Sequence, residues 1–276
     1  MERRHFLKAC FTGIAAAASP GLVSAAIETE HEPVDERHVK DYLSKIKNFN
    51  HHFTDDVVLG TEDIVLLKSV TKRLKRVQRY VGYANFSLIS FDQARYFARN
   101  YSVIGAFTKH EIDFIERIFY TNASDYGFLG EKVLTSLTDG AKRNDTVKIA
   151  GSGHYLFRGK SEQFYKKVVK DLGNSIVLTS GVRGIVKQMH LFLRKTIESE
   201  GNLSMASRSL APPGHSFHGV GDFDVGKRGF GRRNFTEDFA KTDEFKRLND
   251  LGYIGIRYHE KNPFGVRFEP WHVKVV

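Results

Sequence analysis

Cysteine is almost missing from this 276-residue chain: Cys10 is the only one, and it lies within the first 26 residues. That rules out a disulfide framework, a cysteine-based metal site and a cysteine nucleophile in everything that follows. Long apolar runs are lacking too. Beyond the N-terminus no stretch approaches the roughly 20 apolar residues that a membrane-crossing helix needs. The complete pattern Gly-x-x-x-x-Gly-Lys-Ser/Thr is absent, because His154 stands where Gly159-Lys160-Ser161 would need its first glycine, so the glycines of Gly151-Ser152-Gly153 do not make a phosphate loop. Acidic residues fall short of basic ones, 32 against 42, giving a formal net charge of +10 that favours anionic partners. What remains is ordinary for a folded protein, with 27% charged and 12% aromatic residues, which argues against disorder. The length suffices for a substantial core.

The N-terminus has a different character. Glu2-Arg3-Arg4-His5-Phe6-Leu7-Lys8 is a basic head, Ala9 to Leu22 is a modest apolar run, and Val23-Ser24-Ala25 offers small residues for cleavage. This pattern predicts an export signal over 1–26, and Arg3-Arg4-His5-Phe6-Leu7-Lys8 resembles the signal read by the twin-arginine translocase. Its removal takes three cations and one anion with it, leaving +8 and no cysteine. The expected location of the mature chain is therefore periplasmic or otherwise extracytoplasmic, with no stable membrane insertion.

Residues 27–145 read as a helical region after a loose acidic segment containing Pro33. Asp35 is placed to cap a helix to about Asn48, and Thr61 starts another carrying Ile64, Leu67 and Val70 on one face. The basic run Lys72, Arg73, Lys75, Arg76 and Arg79 reads as a solvated helix face. Ser90-Phe91-Asp92-Gln93 and Thr108-Lys109-His110-Glu111 have the form of capping boxes. The pattern changes near Val147, so 146–276 is expected to be a separate catalytic region. There Ser161 begins a helix, Ser175 to Thr179 reads as a buried strand, and Gly184 to Glu200 is helical again. Residues 202–234 read as one long glycine- and proline-punctuated loop holding a short strand at Phe223 to Val225. Thr242 caps a helix to Leu251, and Tyr253 to Arg257 and Val266 to Val275 read as strands. Helices first and clustered strands later predict an α+β fold: a small antiparallel sheet with flanking helices, preceded by a helical region.

The residues with chemistry to offer are His215, Ser216, His218, Asp222, Asp224, Glu269 and His272. A hydrolytic zinc centre needs nitrogen and oxygen ligands, an open position for water, and a carboxylate to take the water's proton. His218, Asp224 and His272 could be such ligands and Glu269 such a base, with Pro270 bending the chain so that both ends of Glu269–His272 face the same point. Spacing alone leaves a second reading open, because His and Asp in a glycine-rich loop often only stabilise turns.

Taken together, Pro213-Gly214-His215-Ser216-Phe217-His218-Gly219-Val220-Gly221, Asp224-Val225-Gly226 and Phe268-Glu269-Pro270-Trp271-His272 resemble the VanY-like branch of the D-alanyl-D-alanine carboxypeptidases, a family of zinc peptidases. Ser180-Gly181-Val182-Arg183, with Gln188 on the following helix, resembles that family's upstream signature. The resemblance implies one zinc per chain on His218, Asp224 and His272, with Glu269 as general base. It implies Arg183 as a catalytic or substrate-holding cation, and Ser216 and Gln188 as substrate-binding residues. One departure stands out: the family spaces its His and Asp ligands by seven positions, whereas His218 to Asp224 is six and Asp222 is a rival at four. The implied activity is hydrolysis of peptidoglycan stem peptides, as a D,D- or L,D-carboxypeptidase. Alternatives are an endopeptidase of murein cross-links or an inactive cell-wall binding protein of the same fold. Nucleic acid is not an expected partner, since no aromatic platform interleaves the basic run.

Overall fold

The computed structural model describes residues 36–276 with the exception of residue 254. The export signal, the acidic segment from Ile27 and the expected Asp35 cap lie outside the described residues. Among the described residues no helix is long and apolar enough to cross a membrane.

Helix α1 spans Glu36–Lys47 and α2 spans Thr61–Val81. Leu67, Val70, Leu74 and Val77 recur three and four apart along α2 and are buried on one face. Of the basic run, Lys72, Lys75 and Arg79 are exposed. Arg73 is not part of a solvated face: its Nε donates to Glu111 at 2.9 Å and its Nη1 to the Gly105 carbonyl at 2.7 Å. Both capping boxes form. Ser90 and Gln93 exchange bonds at the start of α3 (Phe91–Asn100), and Thr108 and Glu111 do the same at α4 (Lys109–Tyr120), so two otherwise orphaned donors are met at each helix end.

In the second half, β1 (Thr146–Lys148) and β2 (Tyr155–Phe157) form an antiparallel hairpin, followed by α5 (Lys160–Leu172). Strand β3 (Ile176–Ser180) leads to α6 (Ile185–Glu198) and α7 (Leu203–Ser209). The chain returns through β4 (Phe223–Lys227), α8 (Asp243–Asp250, capped by Thr242) and β5 (His272–Val273). Strands β3, β4 and β5 make a three-stranded antiparallel sheet in that order. The fold is α+β, with residues 36–276 forming one compact unit. Phe86, Phe114 and Phe119 from the first half are buried in the same cluster as Met189, Phe192 and Leu193 of α6, so helices on both sides of residue 145 share a core. A second cluster, including Tyr165, Leu178, Phe223, Val225 and Trp271, lies under the three-stranded sheet.

Two expectations need correcting. The segment 202–234 is not one long loop, because Asn202 accepts the Met205 amide at 2.7 Å and so caps α7. The strands read at Tyr253 to Arg257 and Val266 to Val275 shrink to β5 and a single bridge between Ile256 and Val273. Backbone hydrogen bonding explains the loss. Arg267 N–H goes to the Arg208 carbonyl, Glu269 N–H to Tyr258 and His272 N–H to Glu269, and Pro270 has no N–H to give.

Candidate active site

Strand register assembles the site. Ser180 lies opposite Asp224 across β3 and β4, past a bulge between Leu178 and Ser180, and Asp224 lies opposite His272 across β4 and β5. Directly opposed residues of an antiparallel pair share a face, so Asp224 and His272 must be neighbours. Asp222, two residues earlier, falls on the same side. His218 arrives from a 3-10 turn, Phe217–Gly219. Immediately after it the amides of Val220, Gly221 and Asp222 all donate to the Phe217 carbonyl, at 3.0, 3.0 and 3.1 Å. Gly221 makes this possible with φ of +149°, where L residues are rare. That compact turn is how six positions suffice between His218 and Asp224.

Three potential ligand atoms then converge. Asp224 Oδ1 lies 3.1 Å from His218 Nε2 and 3.2 Å from His272 Nδ1. All three side chains are buried, and their ligand atoms lie within 4.8 Å of one another. His218 Nε2 and Asp224 Oδ1 have no hydrogen-bond partner among the described residues. Buried polar atoms left so are costly, and a cation is what this N,N,O set lacks. Zinc fits: bonds of about 2.0–2.1 Å at the tetrahedral angle separate ligand atoms by roughly 3.3 Å and leave a fourth position open. Asp222 is not one of the converging ligands.

The surrounding groups fix each ligand. His218 Nδ1 donates to the Gly181 carbonyl at 2.9 Å, which leaves Nε2 with its lone pair free. His272 Nε2 lies 3.0 Å from Asp222 Oδ2, so Nδ1 faces the cluster. Asp222 also accepts Arg257 Nε at 2.7 Å and the Val275 amide at 2.8 Å, and the Arg257 guanidinium lies 3.3 Å over the Phe217 ring. Arg183 donates Nε to Ser180 Oγ at 2.8 Å and Nη2 to Asp224 Oδ2, tying down the oxygen that the cluster does not use.

Charge follows this wiring. Burial first, then Arg183, lowers His218 to about 4. Burial would lower His272 as well, but Asp222 and Asp224 outweigh it and raise it to about 9 in the metal-free state. Asp224 lies well below the ordinary carboxylate value: burial opposes this, but His218 and Arg183 prevail. Glu269 behaves in the opposite way. Burial pushes its carboxyl up to about 7 against the pull of Arg267 and His272. Its Oε2 stands 4.0 Å from His272 Nδ1, across a turn in which the His272 amide donates to the Glu269 carbonyl at 3.0 Å.

Residues 158–276 match the family described as VanY, D-alanyl-D-alanine carboxypeptidase. This segment is VanY-like. No curated protein matches the chain. Among solved structures, the LdcB LD-carboxypeptidase is 24% identical, with 49% of this chain and 69% of that one covered and a TM-score of 0.41. A VanY D,D-pentapeptidase from a VanB-type resistance cassette, in complex with Zn(II), is 21% identical, with 48% and 78% covered and a TM-score of 0.39. VanYB in complex with D-alanine-D-alanine is likewise 21% identical, covering 48% and 76% at 0.39.

Within the VanY-like segment, the remaining expected residues scatter. Ser216 is buried beside the turn that carries His218, and its carbonyl accepts the Gly219 amide at 3.0 Å. Gln188 is 1% exposed and donates to the Ala211 carbonyl at 2.6 Å, steadying the segment before Pro212, while its Oε1 has no partner among the described residues. His215 stands apart from the cluster, bonded to the Gly130 carbonyl at 3.0 Å and packed edge-on against Phe128. Trp271 is buried between Phe235 and Arg267, and its carbonyl receives the Val225 amide, so it anchors the turn before His272. Arg257 is the residue that sequence reasoning missed. It lay in an expected strand, and nothing in its spacing marks it as the cation that holds Asp222.

Proposed function

We propose that the chain is a zinc-dependent carboxypeptidase that removes a terminal D-alanyl residue from peptidoglycan stem peptides after export. The observation that carries this reading is the convergence of two unpartnered buried ligand atoms with His272 Nδ1, beside a carboxyl group that burial keeps protonatable near neutrality. His218, Asp224 and His272 would hold one zinc, which supplies Lewis-acid polarisation of the scissile carbonyl and of water.

The chain's own residues do the rest. Glu269 takes a proton from the attacking water as its oxygen bonds to the carbonyl carbon. It then delivers that proton to the leaving nitrogen as the C–N bond breaks. Arg183 holds Asp224 and adds positive charge beside the oxygen on which negative charge develops. Asp222 and Arg257 keep His272 oriented. Ser216, which matches the family's serine in the sequence motif, would contact the substrate's terminus.

Incubating the purified chain with defined muropeptides and weighing the products tests this. Release of one alanine from a pentapeptide or tetrapeptide supports it and separates D,D- from L,D-cleavage. A cut cross-link with no alanine released would replace the carboxypeptidase with an endopeptidase. No product from a fully zinc-loaded protein would leave a binding protein of the same fold.

A further inference from the structure

Helix α2 turns Leu67, Val70, Leu74 and Val77 inward, so Lys72, Lys75, Arg76 and Arg79 fall on its opposite side. From Ile64 to Phe91 the chain holds no Asp or Glu. Arg73 is the member of this run that finds a carboxylate, Glu111 at 2.9 Å. Among the described residues the other four form no ion pair, and neither do Arg95 and Arg99 on the adjacent α3. Lys72, Lys75, Arg79 and Arg99 are exposed, so this face presents positive charge that no described carboxylate neutralises.

Aromatic rings flank that charge. Tyr80, at the end of α2, lies 4.2 Å from the Tyr101 ring and 6.0 Å from Phe97, and Tyr96 meets Phe97 at 5.7 Å. Tyr80, Tyr96 and Tyr101 remain 44%, 55% and 37% exposed. The turn after α3 is firmly held. Ile104 is 1% exposed, its amide returns to the Tyr101 carbonyl at 2.9 Å, and its carbonyl accepts Arg76 Nε at 2.7 Å. Val103, just before that anchor, is 67% exposed. An exposed apolar residue flanked by tyrosines and unpaired cations suits the boundary of a bilayer. There apolar side chains enter the acyl edge, tyrosines sit at headgroup depth, and Lys and Arg meet lipid phosphates.

We propose that this face of α2 and α3, with the turn that follows, docks on the surface of an anionic phospholipid bilayer. The inference does not depend on the peptidase reading. Charge complementarity selects the occupant. A second copy of the chain would set like charges against each other. A single nucleic-acid strand stacks its bases on open ring faces, whereas the Tyr80 and Tyr101 rings lie against each other. The docking is peripheral: it holds the chain at the lipid surface without a membrane-crossing helix.

Vesicle flotation of the purified chain from Ile27 onward tests this, since residues 36–276 form one compact unit. Vesicles of phosphatidylcholine alone are compared with an equal mixture of phosphatidylcholine and phosphatidylglycerol. The parent chain is expected to float with the mixed vesicles only, and high salt should release most of it. Lys72→Gln with Arg79→Gln should lower the partition coefficient roughly 30-fold, about fivefold for each cation near such a surface. Lys142→Gln with Lys170→Gln removes the same charge from exposed positions elsewhere and should change it less than about 2-fold. Tyr96→Ser with Val103→Ser should also weaken binding, by a factor that salt does not alter. All these side chains are exposed, so melting temperature and any hydrolysis of soluble muropeptides should stay parental. No flotation with the mixed vesicles overturns the proposal, as does an equal loss from the two Gln pairs, which would mark net charge alone. Tighter binding to single-stranded oligonucleotide or to purified murein, lost in the same variants, would give this face to that polymer and overturn the lipid assignment.

Discussion

Around α2 and α6 the interior is made of Leu74, Phe86, Phe114 and Phe192, packed ring against chain. On the face of β4 and β5 that carries the site, Asp222, Asp224, His218, His272 and Arg257 are buried instead, each oriented by another. The first region gains stability from apolar area removed from water, about 1.5–3 kcal/mol for each large side chain. The second loses stability by burying charge, and recovers it only if the charges are paired or a cation is bound. One region can tolerate a change of shape at a cost in melting temperature. The other can keep its fold and still lose its chemistry.

The sharpest way to break this contrast is at the ligands. His218→Ala or His272→Ala should abolish stoichiometric zinc and reduce hydrolysis to background, measured by metal analysis and turnover on one preparation. Asp222→Asn should act more mildly, lowering zinc affinity roughly 10- to 100-fold because it only orients His272. A competition titration with a chelator reads this, and Asp222→Asn losing metal as completely as Asp224→Ala would move the ligand assignment.

The helical region should respond in the opposite sense. Phe192→Ala is expected to cost about 3–5 kcal/mol in denaturant unfolding while zinc per folded chain stays near one. A parallel loss of zinc would mean that the two regions are not separable in this way. His190, buried edge-on to Phe86, refines the comparison through pH. Burial first, then Lys187 and Arg194, lowers it to about 4. Below the unfolded value near 6.5 the unfolded chain takes up a proton that the folded chain refuses. Stability should therefore fall between about pH 6.5 and 4, by at most about 3 kcal/mol. Zinc-free protein carrying His190→Leu should show a flatter melting-temperature profile over that range; an unchanged slope would remove His190 from the account.

Much of the helical region was legible because its signals are local. Ser90/Gln93 and Thr108/Glu111 announce their helices within four residues, and the period of Leu67, Val70 and Leu74 announces a buried face. The grouping of His218, Asp224 and His272 was legible through Glu269-Pro270-Trp271-His272 and the loop from His215 to Asp224, where the motif itself requires the residue types. The wiring behind it was not. That Asp222 orients His272, and that Arg257 holds Asp222 across 35 residues, depends on strand register and a turn tied to one carbonyl. The expected strands near the C-terminus failed for a related reason, since alternation of apolar residues does not reveal amides bonded to Arg208, Tyr258 and Glu269 instead of a neighbouring strand.

Glu269→Gln tests the central claim most directly. The substitution keeps the shape of the side chain and removes the carboxylate that takes the proton. Zinc stoichiometry, melting temperature and hydrolysis should be measured on the same preparation against a released-alanine assay. The account predicts near-parental zinc and stability with turnover lower by about 10²- to 10⁴-fold. Parental turnover in a folded, zinc-loaded Glu269→Gln protein would contradict it.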